Sequence, residues 1–118
     1  MFSLSSSQQY LLYRTPTDMR KNFDGLCGIV INHLKKDPRS GQIFIFINKR
    51  RDKIKLLVWE HGGFTLYYKR LEQGTFELPV FTEQSRQLSW SELTMIVMGI
   101  SLQKTKKRKR FLSTLNCG

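Results

Sequence analysis

The sequence predicts an α+β fold: a mostly antiparallel sheet of about three to five strands packed with two helices in a single domain. Three observations carry this. Ile43-Phe44-Ile45-Phe46-Ile47 is an unbroken run of β-branched and aromatic residues, the pattern of a strand buried on both faces. Two apolar segments of strand length flank His61-Gly62-Gly63, a strong hairpin signal. Two stretches with apolar residues at three- and four-residue steps bracket these strands. A length of 118 residues suits one domain of ordinary size.

In chain order, residues 1–9 are expected to be a disordered Ser/Gln-rich lead-in, 10–102 the domain, and 103–118 a basic, disordered tail. Gln9 to Arg14 reads as a short aromatic-rich strand. Thr15 as N-cap, Pro16 at the first helical position and Asp18 as capping-box acid predict a helix starting there. Met19, Phe23, Leu26, Cys27, Val30, Ile31 and Leu34 form its apolar stripe. Gly25 and Gly28 are expected to let it approach a sheet closely. Lys35 and Lys36 suit its C-terminus, and Asp37-Pro38 ends it.

After a turn at Arg39-Ser40-Gly41 come the strand Ile43 to Ile47, a basic loop from Asn48, and the strand Ile54 to Glu60. Phe64 to Leu71 follows the hairpin, and Thr75 to Leu78 reads as a short edge strand stopped by Pro79. A three-residue His61-Gly62-Gly63 loop puts Ile54, Leu56 and Val58 on one core face with Phe64, Leu66 and Tyr68. Lys55, Leu57 and Trp59 then share a mixed basic and aromatic face with Thr65, Tyr67 and Lys69. Thr82 to Leu88 is a polar connection. Ser89 and Glu92 form a capping box for a second helix whose apolar face is Leu93, Ile96, Val97 and Ile100, with Gly99 near its end.

The charge is unevenly placed. The chain carries 20 basic and 9 acidic residues, a net +11. Residues 49–55 hold five bases and one acid, residues 104–110 six bases and no acid, and the rest is nearly neutral. Two basic clusters on a neutral domain point to a polyanion, because each phosphate neutralised releases counterions. Membrane partnership is disfavoured: neither cluster makes a broad amphipathic face, and no apolar run reaches the roughly 20 residues of a spanning helix. Cys27 and Cys117 have neither metal nor disulfide-framework spacing, which fits a reducing, cytoplasmic setting.

No catalytic constellation is visible. Asp18 and Asp24 stand six apart and off one helical face, His33 and His61 fall at a helix end and a turn, and no phosphate loop, nucleophile elbow or zinc spacing exists. The expectation is a non-enzyme without cofactor or metal. The candidate DNA contacts are Lys49, Arg50, Arg51, Lys53 and Lys55 of the loop, with Arg50 and Arg51 suited to bidentate phosphate contacts. Lys106, Lys107, Arg108, Lys109 and Arg110 would add affinity without sequence choice. Trp59 and Tyr67 are candidate aromatic contacts beside Lys69 and Arg70, although strand aromatics are more often packing residues.

The residues also carry a resemblance. One block is Asp18-Met19-Arg20-Lys21 followed by Phe23-Asp24-Gly25-Leu26, and a second is Asp37-Pro38 before Ser40-Gly41. A third runs from Phe44 and Phe46 through Asn48 to Lys55, Leu57, Trp59 and Glu60, then Gly63, Phe64, Leu66, Tyr67 to Glu72, Gly74, Phe76 and Pro79. Together they resemble the TnpB family of small accessory proteins of the bacterial insertion sequences numbered sixty-six, over roughly residues 10–101. The resemblance implies a helper in transposition, encoded beside a separate, larger transposase that holds the catalytic site. Arg20, Lys21, Arg50, Arg51, Lys53, Lys55, Lys69 and Arg70 match its pattern, while the basic tail lies outside it. The expected partners are therefore DNA, at element ends or target, and the transposase. The alternative is a protein–protein adaptor anchored by Trp59, Trp90 or Tyr67 with little DNA contact. Oligomeric state is not legible.

Overall fold

The computed structural model describes residues 8–98. Its elements are β1 (Tyr10–Tyr13), α1 (Phe23–Asn32), β2 (Ile43–Ile47), β3 (Lys53–Glu60), β4 (Gly63–Arg70), β5 (Ser85–Leu88) and α2 (Trp90–Met98). The five strands make one sheet in the order β4-β3-β2-β1-β5. Only β1 and β2 run parallel, with α1 as their crossover, and the other pairs are antiparallel. The architecture is the α+β fold the sequence predicts.

Strand alternation divides the core into two layers. Ile43, Ile45 and Ile47 join Tyr10, Leu12, Ile54, Leu56 and Val58 on one face, where α2 adds Leu93 and Ile96. Phe44 and Phe46 join Leu11, Tyr13 and Leu57 on the other, where α1 adds Leu26, Ile29, Val30 and Leu34. Every residue of β2 is buried, because it is the middle strand and both of its faces are covered.

The β3–β4 register corrects the expectation. The turn has two residues, with Glu60 paired to Gly63. His61 and Gly62 both have positive φ, 53° and 81°, as a type I′ turn requires. The one-residue slip reverses the faces. Lys55, Leu57 and Trp59 lie opposite Tyr68, Leu66 and Phe64, and Ile54, Leu56 and Val58 opposite Lys69, Tyr67 and Thr65. Tyr68, half exposed, therefore shares a face with Lys53, Lys55, Trp59 and Arg70, while Tyr67 and Lys69 turn to the α2 face.

The first helix also begins later than Thr15 and Pro16 suggest. Thr17 is buried and donates its N–H to Ile47 O at 2.9 Å, which holds residues 15–17 along the end of β2. The Asp18 carboxylate accepts the Arg20 N–H at 2.9 Å, closing a local turn instead of capping a helix. α1 starts after Asn22 and closes before Lys35, which sits in the left-handed region at φ 56°. Of the predicted stripe, Leu26, Val30 and Leu34 are buried, whereas Phe23 and Ile31 are exposed and Ile29 takes the inward position. Neither helical glycine serves a close approach to the sheet. A side chain at Gly28 would meet nothing within 4 Å, and one at Gly25 would meet Lys21.

The far edge strand is β5, not Thr75 to Leu78. Ser85–Leu88 pairs antiparallel with β1, while Phe76 donates its N–H to Arg51 O at 2.7 Å and buries its ring. The Ser89–Glu92 box is present in both directions, Glu92 N–H to Ser89 Oγ at 3.1 Å and Ser89 N–H to Glu92 Oε1 at 3.0 Å. Ile100, Gly99 and the basic run lie outside the described residues.

Candidate nucleic-acid interface

The turn between β2 and β3 is tightly self-bonded. Asn48 Oδ1 accepts the N–H groups of Asp52 and Lys53 at 3.1 and 3.0 Å, and Asn48 Nδ2 donates to Asp52 Oδ1 at 2.7 Å. That bond from Asn48, ahead of the charges of Lys53 and Arg50, holds the Asp52 carboxyl below the usual carboxylate range. Arg51 takes the left-handed conformation, φ 59°, and Arg51 N–H donates to Asn48 O at 3.0 Å. A tip this constrained presents its side chains from a fixed platform.

Beside it runs the segment 16–20, and the two enclose an open cleft of about 640 Å³. Arg20, Lys49, Arg50 and Lys53 line it, with Asp18, Asn48 and Tyr68. Asp18 grips Arg20 through a forked pair, with Nε at 3.1 and 3.0 Å from the two carboxylate oxygens and an Nη at 2.6 Å. The Arg20 side chain remains 90% exposed, so the pair is a surface one. The hydrogen bonds from Arg20 draw the Asp18 carboxyl down to about 2. Among the described residues, Lys49, Arg50 and Lys53 form no ion pair. The cleft therefore offers uncompensated cations at a rigid turn.

The other predicted contacts are placed differently. Lys55 is only 2% exposed. Its ammonium donates to Met19 O and Lys21 O at 2.8 Å and to Asn22 Oδ1 at 3.0 Å, and lies 4.8 Å from the Tyr68 ring centroid. All three donors are spent inside the fold, so Lys55 is not presented to solvent as the loop reading expects. Burial pushes its ammonium below the ordinary lysine range, against the pull of Asp18. Arg51 diverges from Arg50 and lines a second cleft with Arg14, Leu78, Pro79 and Val80. Lys69 lies on the α2 face and donates to Val97 O at 3.4 Å. Arg70 stands opposite Lys53 and pairs with Glu72 at 3.2 Å. Lys21 is exposed, next to the Asp18–Arg20 turn. Lys106, Lys107, Arg108, Lys109 and Arg110 lie outside the described residues.

Trp59 and Tyr67 do not form a stacking platform, since they fall on opposite faces of the sheet. Trp59 meets Phe64 edge-on at 4.9 Å with the Arg39 guanidinium 5.0 Å above it, and Tyr67 packs against the α2-side core. Trp90 is 37% exposed and lies 5.9 Å from the Tyr10 ring. Sequence reasoning places Tyr68 in an aromatic set with Trp59, Tyr67 and Phe64 but not at the cleft, which it lines while covering Lys55, and it assigns no role to the turn-fixing Asn48. A two-residue hairpin register puts Tyr68 opposite Lys55. Among the described residues, no cluster of His, Cys, Asp and Glu could hold a metal ion, and no helix is long and apolar enough to cross a membrane.

These features define a small α+β domain that displays a basic cleft at one end of its sheet. The chain belongs to the family described as IS66 Orf2 like protein, whose model matches residues 8–107. That match takes in Lys104, Lys106 and Lys107, so the family region reaches into the basic run that the resemblance left outside. Two proteins of Sinorhizobium fredii (strain NBRC 101917 / NGR234) are similar. The uncharacterized protein y4jC is 30% identical over 108 residues, covering 92% of each chain. The uncharacterized protein y4hO is 33% identical over 85 residues, covering 71% of this chain and 73% of its own. No solved structure matches. Membership ties the chain to insertion sequences and gives it a transposition-associated accessory role.

Proposed function

We propose that the protein is a non-catalytic DNA-binding accessory of transposition that grips phosphates through the cleft between residues 16–20 and the β2–β3 turn. The observation that carries this reading is the convergence of Lys49, Arg50 and Lys53, with Arg20 opposite, on one open cleft beside a rigid turn. Phosphate contacts need cations that are not locked in internal ion pairs, and Lys49, Arg50 and Lys53 form none, although Asp52 lies within reach of the charges of Arg50 and Lys53. Arg70 and Lys21 extend the same basic surface, and the run 104–110 supplies further affinity by charge alone. Lys55 serves the site indirectly, by fixing the backbone that presents Arg20. The partners are the element's DNA and its separate transposase, with the domain bounded at about residue 102 and the tail beyond it.

A second reading is favoured by a specific observation. Val80 is 91% exposed and borders, with Leu78, Pro79 and Phe81, the apolar side of the second cleft. An adaptor that docks on the transposase would use this loop in place of Trp59 or Tyr67, which are spent on packing.

The test is binding to element-end and random duplexes across a salt series. Backbone binding gives a fall of log K with log salt of about 0.9 per phosphate contact, and preference for the element end adds specific recognition. Loss of the slope on removal of residues 104–118 assigns the contact to the tail. Absence of binding at moderate salt transfers the role to the adaptor reading. In that case neutralising Arg50 and Arg51 leaves transposition intact, while Val80→Asp abolishes it.

A further inference from the structure

β4 ends the sheet, and among the described residues no strand lies beyond it. The chain that follows does not run along it. Leu71 N–H donates to Asp52 O at 2.7 Å and Phe76 N–H to Arg51 O, so the connection crosses the base of β3 toward the far side.

The ladder phase fixes which backbone groups of β4 face outward. A two-residue turn makes Glu60 and Gly63 the first hydrogen-bonded pair, and such pairs then alternate with non-bonded ones. The bond from Leu71 to Asp52 falls in the same phase at the other end. Phe64, Leu66, Tyr68 and Arg70 therefore aim their N–H and C=O groups away from β3. This edge has eight residues, against four for β5 at the opposite edge. It carries no proline, and its pairing with β3 is continuous, without a bulge. Its charges, Lys69 and Arg70, sit together at one end, so most of its length lacks the usual blocks to further pairing.

We propose that β4 pairs with β4 of a second copy of this chain, antiparallel about a two-fold axis at Tyr67, to join two five-stranded sheets into one. A two-fold, self-complementary edge contact is necessarily antiparallel. Only an axis at Tyr67 pairs all four outward residues: Phe64 of each copy with Arg70 of the other, and Leu66 with Tyr68. That register also separates the like charges. Lys69 faces Thr65 of the other copy, and the two Lys69 positions stand about 13 Å apart along the strands. The separation exceeds the screening length of about 8 Å at physiological salt. Arg70 meets the Phe64 side of the edge-on Phe64–Trp59 pair, a cation–π setting, while the Arg39 guanidinium stands over Trp59. Its bond to Glu72 is no obstacle, since both side chains are more than half exposed. The contact is at the small end of specific interfaces, so dimerisation is concentration-dependent. It does not depend on the DNA reading.

Sedimentation equilibrium on the full chain, up to submillimolar concentration, is expected to show a species of twice 13.9 kDa. Tyr68→Pro removes an outward N–H without breaking a bond to β3 and weakens the dimer at least about tenfold. Tyr68→Ala keeps that N–H and controls for the ring over Lys55. In a Cys27→Ser, Cys117→Ser background, Thr65→Cys and Lys69→Cys chains face each other as a non-bonded pair, with Cα atoms about 4.5 Å apart. They are expected to cross-link when mixed and not separately. A monomer at every concentration overturns the proposal. So does a dimer indifferent to Tyr68→Pro that yields no mixed disulfide.

Discussion

The two helices of this domain begin in opposite ways. α2 is started by its neighbours in sequence: Ser89 and Glu92 satisfy each other's backbone N–H groups, and Arg86 steadies the Glu92 carboxylate at 2.7 Å. α1 has Asn22 at its N-cap with no side-chain cap bond. Its entry is fixed from across the fold by the Lys55 ammonium on β3, which ties Met19, Lys21 and Asn22 together. A local cap survives as long as its own turn does. An anchor borrowed from a strand 33 residues away, which ties down the preceding oxygens and caps no N–H, lasts only while the tertiary structure holds. The borrowed one also holds the segment that places Arg20 at the cleft, so the proposed contact surface depends on the less autonomous of the two helix starts.

The sharpest way to break this contrast is Lys55→Met. It removes the donor shared by Met19 O, Lys21 O and Asn22 Oδ1, three part-buried bonds, and the expected loss is about 3 kcal/mol in denaturant unfolding. Faster amide exchange over residues 19–24 should accompany it. A loss below about 1 kcal/mol would mean that α1 starts without help. Lys53, two positions earlier on the same strand, should behave inversely. Lys53→Ala and Arg50→Ala each lower the salt slope of DNA binding by about one, with stability unchanged within about 0.5 kcal/mol. Ser89→Ala tests the local cap. It should cost about 1 kcal/mol and leave DNA affinity untouched, as read by thermal melting and by titration with a duplex.

The smallest effect is a pH dependence at the entry to α1. The Asp18 carboxyl, held near 2 by Arg20, lies below its ordinary value. Its contribution is therefore complete above about pH 4 and lost as pH falls toward 2. The exposed pair is screened by salt, so the check is the Asp18 carboxyl chemical shift, with a midpoint near 2 that rises in Arg20→Gln.

What was legible in the sequence divides along the same line. The Ser89–Glu92 box, the central Ile43–Ile47 strand and the basic β2–β3 turn are written in adjacent residues, and all three are present. The start of α1 is not legible, because Pro16 and Asp18 look like a cap while the fixing group is a lysine that charge alone assigns to solvent. The β3–β4 register was displaced because Gly63 reads as turn, yet His61 accepts the positive φ and frees Gly63 for the strand. β5 leaves no apolar signal, because its pairing is made of backbone. Ser85, Arg86 and Gln87 carry no apolar alternation, and only Leu88 is buried. Of the candidate site, Lys49, Arg50, Lys53 and Arg20 could be named from charge, but their meeting at one cleft depends on the Thr17–Ile47 bond between distant segments.

The position of β1 has a consequence for how the chain is made. β1 lies between β2 and β5, so one of its edges is completed by residues 43–45 and the other by residues 85–88. During synthesis, an aromatic strand from near the N-terminus must wait, with one edge unpaired, until nearly the whole domain has left the ribosome. At the usual pace of about 5–20 residues per second that interval lasts several seconds. Over that time Tyr10–Tyr13 is open to pairing with another nascent chain. Truncations ending before Ser85 should therefore accumulate as aggregates, not as smaller folded domains.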